Sequence, residues 1–190
     1  RCDEYMIEKH LDMKRDVIFA GGVWDWSGIL PENNYAYEAT EYSLRACRKY
    51  GINEMMMTSW SSSNLYANLL GLSMAAELCY TENPSEDQLR ERFFACTEGD
   101  FDGFMRMSNF HNQFGKNDVY PDFNDRFFGR ALFWQDIMEG IYEEHLKSRP
   151  MSAYYQENAE QMKQYHGKFE DLYRFAEKIF EYLAVKTRIA

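Results

Sequence analysis

Several things are scarce in this chain, and each shortage excludes a class of protein. The 190 residues contain no stretch of about 18 uncharged apolar residues, so no membrane-spanning helix is expected. Lys and Arg total 21 against 31 Asp and Glu, a formal net charge of −10 with no basic stripe, which argues against a nucleic-acid partner. The four cysteines, Cys2, Cys47, Cys79 and Cys96, form no C-x-x-C pair, and their apolar surroundings predict reduced, buried thiols. His10, His111, His145 and His166 are scattered without H-E-x-x-H or H-x-x-x-H spacing, so no metal site or cofactor is expected. G-x-S-x-G, G-x-G-x-x-G and the P-loop are likewise missing, and Ser61-Ser62-Ser63 has no histidine nearby. The first residues, Arg1-Cys2, show neither an initiator Met nor a secretion signal, so the expectation is a piece of a longer chain.

Aromatic residues, in contrast, are abundant at 17%, including 14 Tyr, 14 Phe and 4 Trp. Such rings fill cores, and they also pack against the C–H faces of sugars. A helix over Glu4–Lys14, with Met6, His10 and Met13 on one face, precedes the apolar run Val17–Ala20. That run fits a buried parallel strand. A loop with Trp24, Asp25, Trp26, Gly28 and Pro31 follows, and Asn34 is placed to cap a helix over Tyr35–Tyr50 that stops at Gly51. The order then repeats, with a strand at Glu54–Thr58, a polar loop from Ser59, and a helix over Tyr66–Tyr80. The spacing of about 37 residues suits βα units of an α/β barrel. Two parallel strands do not make a complete sheet, and a full barrel needs about 250 residues. Residues 1–82 therefore read as the closing two units of an incomplete (β/α)8 barrel.

Residues 83–190 read as a helical domain, making the chain mostly helical overall. Ser85 and Gln88 form a capping box after Pro84; Leu89, Phe93 and Cys96 line one face; Gly99 ends that helix, and Asp100 caps a short one through Phe110. Asn112–Asp125 reads as loop and Arg126–Lys147 as mostly helix. Ser152 opens the longest predicted helix, Ala153–Thr187. Its heptad seam runs Tyr155, Ala159, Met162, His166, Phe169, Tyr173, Ala176, Phe180 and Leu183. Packing on Arg126–Lys147 is the expected use of that seam, and His166 is expected in the core.

In α/β barrels chemistry sits on the loops after the strands. Here those loops carry Trp24, Trp26 and Trp60. Three indoles at one rim either form an apolar wall for a flat ligand or plug the barrel end, and spacing alone leaves both open. Asp25, Glu32 and Glu38 are not spaced as a pair flanking one bond, so surface or loop-anchoring roles are expected of them. Glu143-Glu144-His145 reads as a solvated helix face.

The string Phe19-Ala20-Gly21-Gly22-Val23-Trp24-Asp25-Trp26, with Pro31 and Asn33, Ala46-Cys47-Arg48-Lys49 and Thr58-Ser59-Trp60, resembles the last two βα units of glycoside hydrolase family 20. The nearest branch is the bacterial, intracellular-type β-N-acetylhexosaminidases. Ala131–Asp136 and Gly140-Ile141-Tyr142 resemble part of their helical domain. The resemblance implies a retaining, substrate-assisted hydrolase acting on glycans that end in N-acetylhexosamine, in the cytoplasm. In that family a Glu protonates the leaving oxygen, the substrate's acetamido oxygen attacks the anomeric carbon, and an Asp orients the amide. No Asp-Glu pair stands at a strand end here, because Asp3-Glu4 precedes a helix. The resemblance thus places the catalytic pair outside this chain, leaves no catalytic residue in it, and matches Trp24, Trp26 and Trp60 to sugar-enclosing positions. The loop Ser61–Tyr66 lacks the family's Gly and its hydroxyl-binding Glu.

Two further readings stand beside it: a helical protein-interaction module with no catalytic role, and a non-catalytic sugar-binding module. Open strand edges also predict that the chain self-associates.

Overall fold

The computed structural model describes residues 4–23, 29–60, 65–111, 128–140 and 150–189. Helix α1 (Glu4–Asp12) leads to β1 (Phe19–Val23), α2 (Asn33–Lys49) and β2 (Met55–Ser59). A 3₁₀ turn (Leu65–Asn68) opens α3 (Leu69–Tyr80); α4 (Glu86–Thr97), α5 (Phe101–Met107) and a 3₁₀ turn (Ser108–Phe110) follow. The remaining helices are α6 (Phe128–Trp134), α7 (Met151–Met162) and α8 (Glu170–Ile189). Among the described residues the chain is mostly helical, with one two-stranded parallel sheet.

The sheet starts later than the apolar run suggests. Phe19 N donates to Glu54 O at 3.0 Å, and pairing runs from Phe19↔Met55 to Val23↔Ser59. The ladder passes straight through Gly21 and Gly22, beyond the expected run Val17–Ala20. A Cβ on Gly21 would stand 2.6 Å from the Phe19 ring, so a larger residue there would push that ring aside. On the helix-covered face, Val23 is buried and meets α3 so closely that a Cβ on Gly71 would lie 3.1 Å from Val23 Cβ.

Several local expectations hold. Gly51 adopts φ +67° at the end of α2. Ser85 Oγ accepts from Gln88 N while Gln88 Oε1 accepts from Ser85 N, completing the capping box of α4. Asp100 Oδ1 accepts from Gly103 N at 2.9 Å and caps α5. Others are corrected. The left-handed residue that ends α4 is Glu98 at φ 61°, ahead of Gly99. In α1 the buried residue is Ile7, while Met6, His10 and Met13 are exposed. Its Glu4 and Glu8 instead accept from Tyr50 Oη at 3.0 and 2.8 Å, turning the helix by one position. Cys47 is buried as expected, but Cys79 and Cys96 are exposed; none of the three forms a disulfide. On α4 the buried stripe is Leu89 and Phe93, and it continues toward Thr97, which leaves Cys96 outside.

The largest correction concerns the long seam. It is two helices, α7 and α8, packed against each other as a hairpin. Gly167 at φ +97° makes the turn. Tyr155, Ala159 and Met162 on α7 and Tyr173, Ala176, Phe180 and Leu183 on α8 are all buried. Residues 163–169 span seven positions, one heptad, so the spacing reads as unbroken across the turn. His166 lies in this turn and is exposed. Of Arg126–Lys147, the described helix is α6 alone. After Trp134 the Asp136 carboxylate accepts from Met138 N at 2.7 Å and Glu139 N at 3.2 Å, a local turn that ends the helix. Asn112–Asp125 and Glu143-Glu144-His145 lie outside the described residues.

One continuous core joins both parts of the chain. Leu30, Ala67, Leu70 and Met74 share it with Phe93, Phe104, Phe110, Tyr155 and Phe180. Phe104 sits at its centre, with ring centroids 4.9 Å from Phe93, 5.3 Å from Phe169 and 5.9 Å from Tyr173.

Candidate functional site

Side chains on a strand alternate between faces. On β2, Met55 and Ser59 turn toward α3: Met55 Sδ meets Cys79 Sγ at 3.3 Å, and Ser59 Oγ accepts from Asn68 Nδ2 at 2.7 Å. Met56, Thr58 and Trp60 therefore take the opposite face. There, among the described residues, no helix covers the sheet, and Ile18, Ala20, Met56 and Trp60 are exposed. This face is bare and largely apolar, unlike the alternating polar face of a solvated strand.

Trp60 stands at the C-terminal end of that face. Its Nε1 donates to Thr58 Oγ1 at 2.9 Å, and Thr58 Oγ1 in turn donates to Gly21 O at 2.9 Å. The chain of bonds folds the indole back over the sheet end while 63% of the residue stays exposed. A ring held at its polar edge with an open face is suited to stacking on a flat apolar surface. Trp24, Trp26 and Asp25 lie outside the described residues, as do residues 61–64. Glu38 is exposed as expected.

A second polar cluster lies where the β1–α2 connection meets α5. Leu30, Pro31, Glu32 and Asn33 are all buried. Asn33 N donates to Ser108 Oγ at 2.9 Å, Asn34 N to the same oxygen at 3.4 Å, and Asn33 Nδ2 to Phe104 O at 2.9 Å. His111 Nε2 donates to Leu30 O at 3.1 Å. The expected cap, Asn34, lies inside the helix. Glu32 holds the cap position without a side-chain cap bond, and Ser108 takes over the role from a distant element. Glu32 is fully buried, which excludes a surface role for it. Ser108 and His111 carried no sequence signal, because their partners are 75 and 81 positions away.

Behind the cluster, Tyr154 Oη donates to Asn109 O at 2.9 Å. Burial pushes its phenol up, and the nearby Glu32 carboxylate adds to the shift. Burial likewise pushes the Tyr173 phenol up to about 12 and the fully buried Tyr155 well above its ordinary value. These are neutral packing groups. Among the described residues no cluster of three His, Cys, Asp or Glu is arranged to hold a metal, and no helix is long and apolar enough to cross a membrane.

Residues 102–190 match the family model described as the Glycoside Hydrolase 20C C-terminal domain. The match starts inside α5 and runs through the α7–α8 hairpin. Over this part the chain is similar to the C-terminal domain of glycoside hydrolase family 20, in line with the resemblance to that family. No curated protein matches the chain.

Proposed function

We propose that this chain is the C-terminal part of a retaining, substrate-assisted exo-β-N-acetylhexosaminidase that releases terminal N-acetylhexosamine from glycans. The family 20 C-terminal domain over residues 102–190 carries the reading. The parallel β1–β2 pair supports it, with helices on one face and a bare apolar face on the other. In this reading residues 1–82 supply the last two βα units of a (β/α)8 barrel, and residues 83–190 form the helical domain behind them. Trp60, with Trp24 and Trp26, packs against the sugar. The open indole of Trp60 at the strand end supports that role. No catalytic residue belongs to this chain: the Glu that protonates the leaving oxygen and the Asp that orients the acetamido group stand on an earlier strand.

The test compares two proteins. Full-length protein should cleave an aryl N-acetylglucosaminide, and the purified 190-residue chain should show background rates only. Loss of the general acid alone removes about 10²–10⁴-fold in rate. Turnover by the isolated chain, or none by the full-length protein, contradicts the reading.

A further inference from the structure

We propose that Ser108 and His111 are positioning residues: the helical part clamps the end of the loop that leaves β1 and so sets the sugar-facing rim. The inference rests on the hexosaminidase reading for its effect on substrate, and on geometry alone for the clamp.

Loops usually run over the surface, because buried backbone groups need partners that loops rarely find. Leu30–Glu32 break that habit, being buried ahead of α2. The first amides of any helix are also orphaned unless something caps them. Here both needs are met from one place. Ser108 Oγ accepts from Asn33 N and Asn34 N, Phe104 O accepts from Asn33 Nδ2, and His111 Nε2–H reaches Leu30 O. Ser108 and His111 are themselves fully buried at the end of α5. Their positions are held by Phe104, Met107 and Phe110 in the core.

The other end of the same connection is also fixed. Val23 pairs with Ser59, the residue before Trp60. The connection is thus tied to the sheet beside Trp60 at one end and to the helical part at the other. Removing the clamp leaves the connection held by β1 and by the packing of Leu30 in the core, without the hydrogen bonds that fix its backbone. A cap with a merely structural role would lower stability and leave substrate affinity unchanged. A positioning role changes KM while the distant chemistry keeps its kcat.

The experiment uses full-length protein carrying Ser108→Ala, with Leu183→Ala as control. Leu183 is fully buried on α8 and touches none of the clamp bonds. Expected for Ser108→Ala is a rise in KM for an aryl N-acetylglucosaminide of about fivefold or more, with kcat within about twofold. Leu183→Ala should lower Tm and leave KM unchanged. An unchanged KM in folded Ser108→Ala, or an equal rise in Leu183→Ala, overturns the positioning role. If Ser108→Ala does not fold, Asn33→Ala removes only the bond to Phe104 O and is read the same way. If the parent protein shows no hexosaminidase activity, that reading fails by itself and amide exchange still decides the clamp. The Asn33 and Asn34 amides should then exchange about tenfold faster in Ser108→Ala, with α8 unchanged. Equal exchange in variant and parent overturns the clamp.

Discussion

The sheet and the α7–α8 hairpin use similar apolar side chains to opposite ends. In the hairpin, Tyr155, Ala159, Ala176, Phe180 and Leu183 are fully buried. In the sheet, Val23 is buried, while Met56 and the preceding Ile18 are 55% and 58% exposed. A helix pair can close its stripe on itself, so local sequence suffices to build a core. A parallel strand needs neighbours on both edges and layers on both faces. The contrast teaches that the α7–α8 hairpin buries its apolar stripe within the chain, while one face of the two-stranded sheet stays bare among the described residues.

The comparison breaks hardest at Phe104. Phe104→Ala removes the ring at the centre of the core, and a loss of about 3–5 kcal/mol is expected in chemical denaturation. Next comes alkali. The Tyr173 phenol is pushed up to about 12, and Tyr154 and Tyr155 are also raised, all by burial in the helical part. Their folded values lie above the unfolded value near 10. The stability they contribute is therefore complete below about pH 10 and is lost as pH rises toward 12. The tyrosinate absorbance of these three phenols should appear together with loss of helical circular dichroism. Ionisation of these three phenols with full helicity retained would contradict their burial.

Trp60→Ala in full-length protein sharpens the other half. An aromatic contact of about 1.5–3 kcal/mol predicts a drop in kcat/KM of about tenfold or more. An unchanged kcat/KM in a folded variant favours the barrel-plug role. Smallest in stability is Met56→Lys on the bare face, expected within about 0.5 kcal/mol in the isolated chain. Its visible effect should be less self-association by light scattering, because a charge on an exposed strand discourages pairing with another copy.

Much of this was legible in the sequence where cause and effect are local. The capping box Ser85–Gln88, the Asp100 cap and the Gly51 stop each follow from a few neighbouring residues. Both strands were found within two or three residues; the first runs on through Gly21-Gly22, whose pairing with Met57 and Thr58 the apolar run does not report. The hairpin was hidden because its turn spans one heptad. The clamp at Ser108 and His111 was invisible for a different reason: a buried hydroxyl and imidazole satisfy backbone groups far away in sequence, and no spacing rule reports that. Trp60 does follow directly on the second strand, because the run Glu54–Thr58 makes that strand legible.

The central claim, which rests on the proposed function, is that β1 and β2 belong to a larger sheet, while the α7–α8 hairpin buries its apolar stripe within the chain. Amide hydrogen exchange of the isolated chain, followed over a range of concentrations, tests it most directly. Amides of α7 and α8 should show high protection independent of concentration. Amides at the edges of β1 and β2 should be weakly protected when dilute and gain protection as a second copy covers them. Strand amides as protected as those of α8 in a dilute monomer would contradict the account.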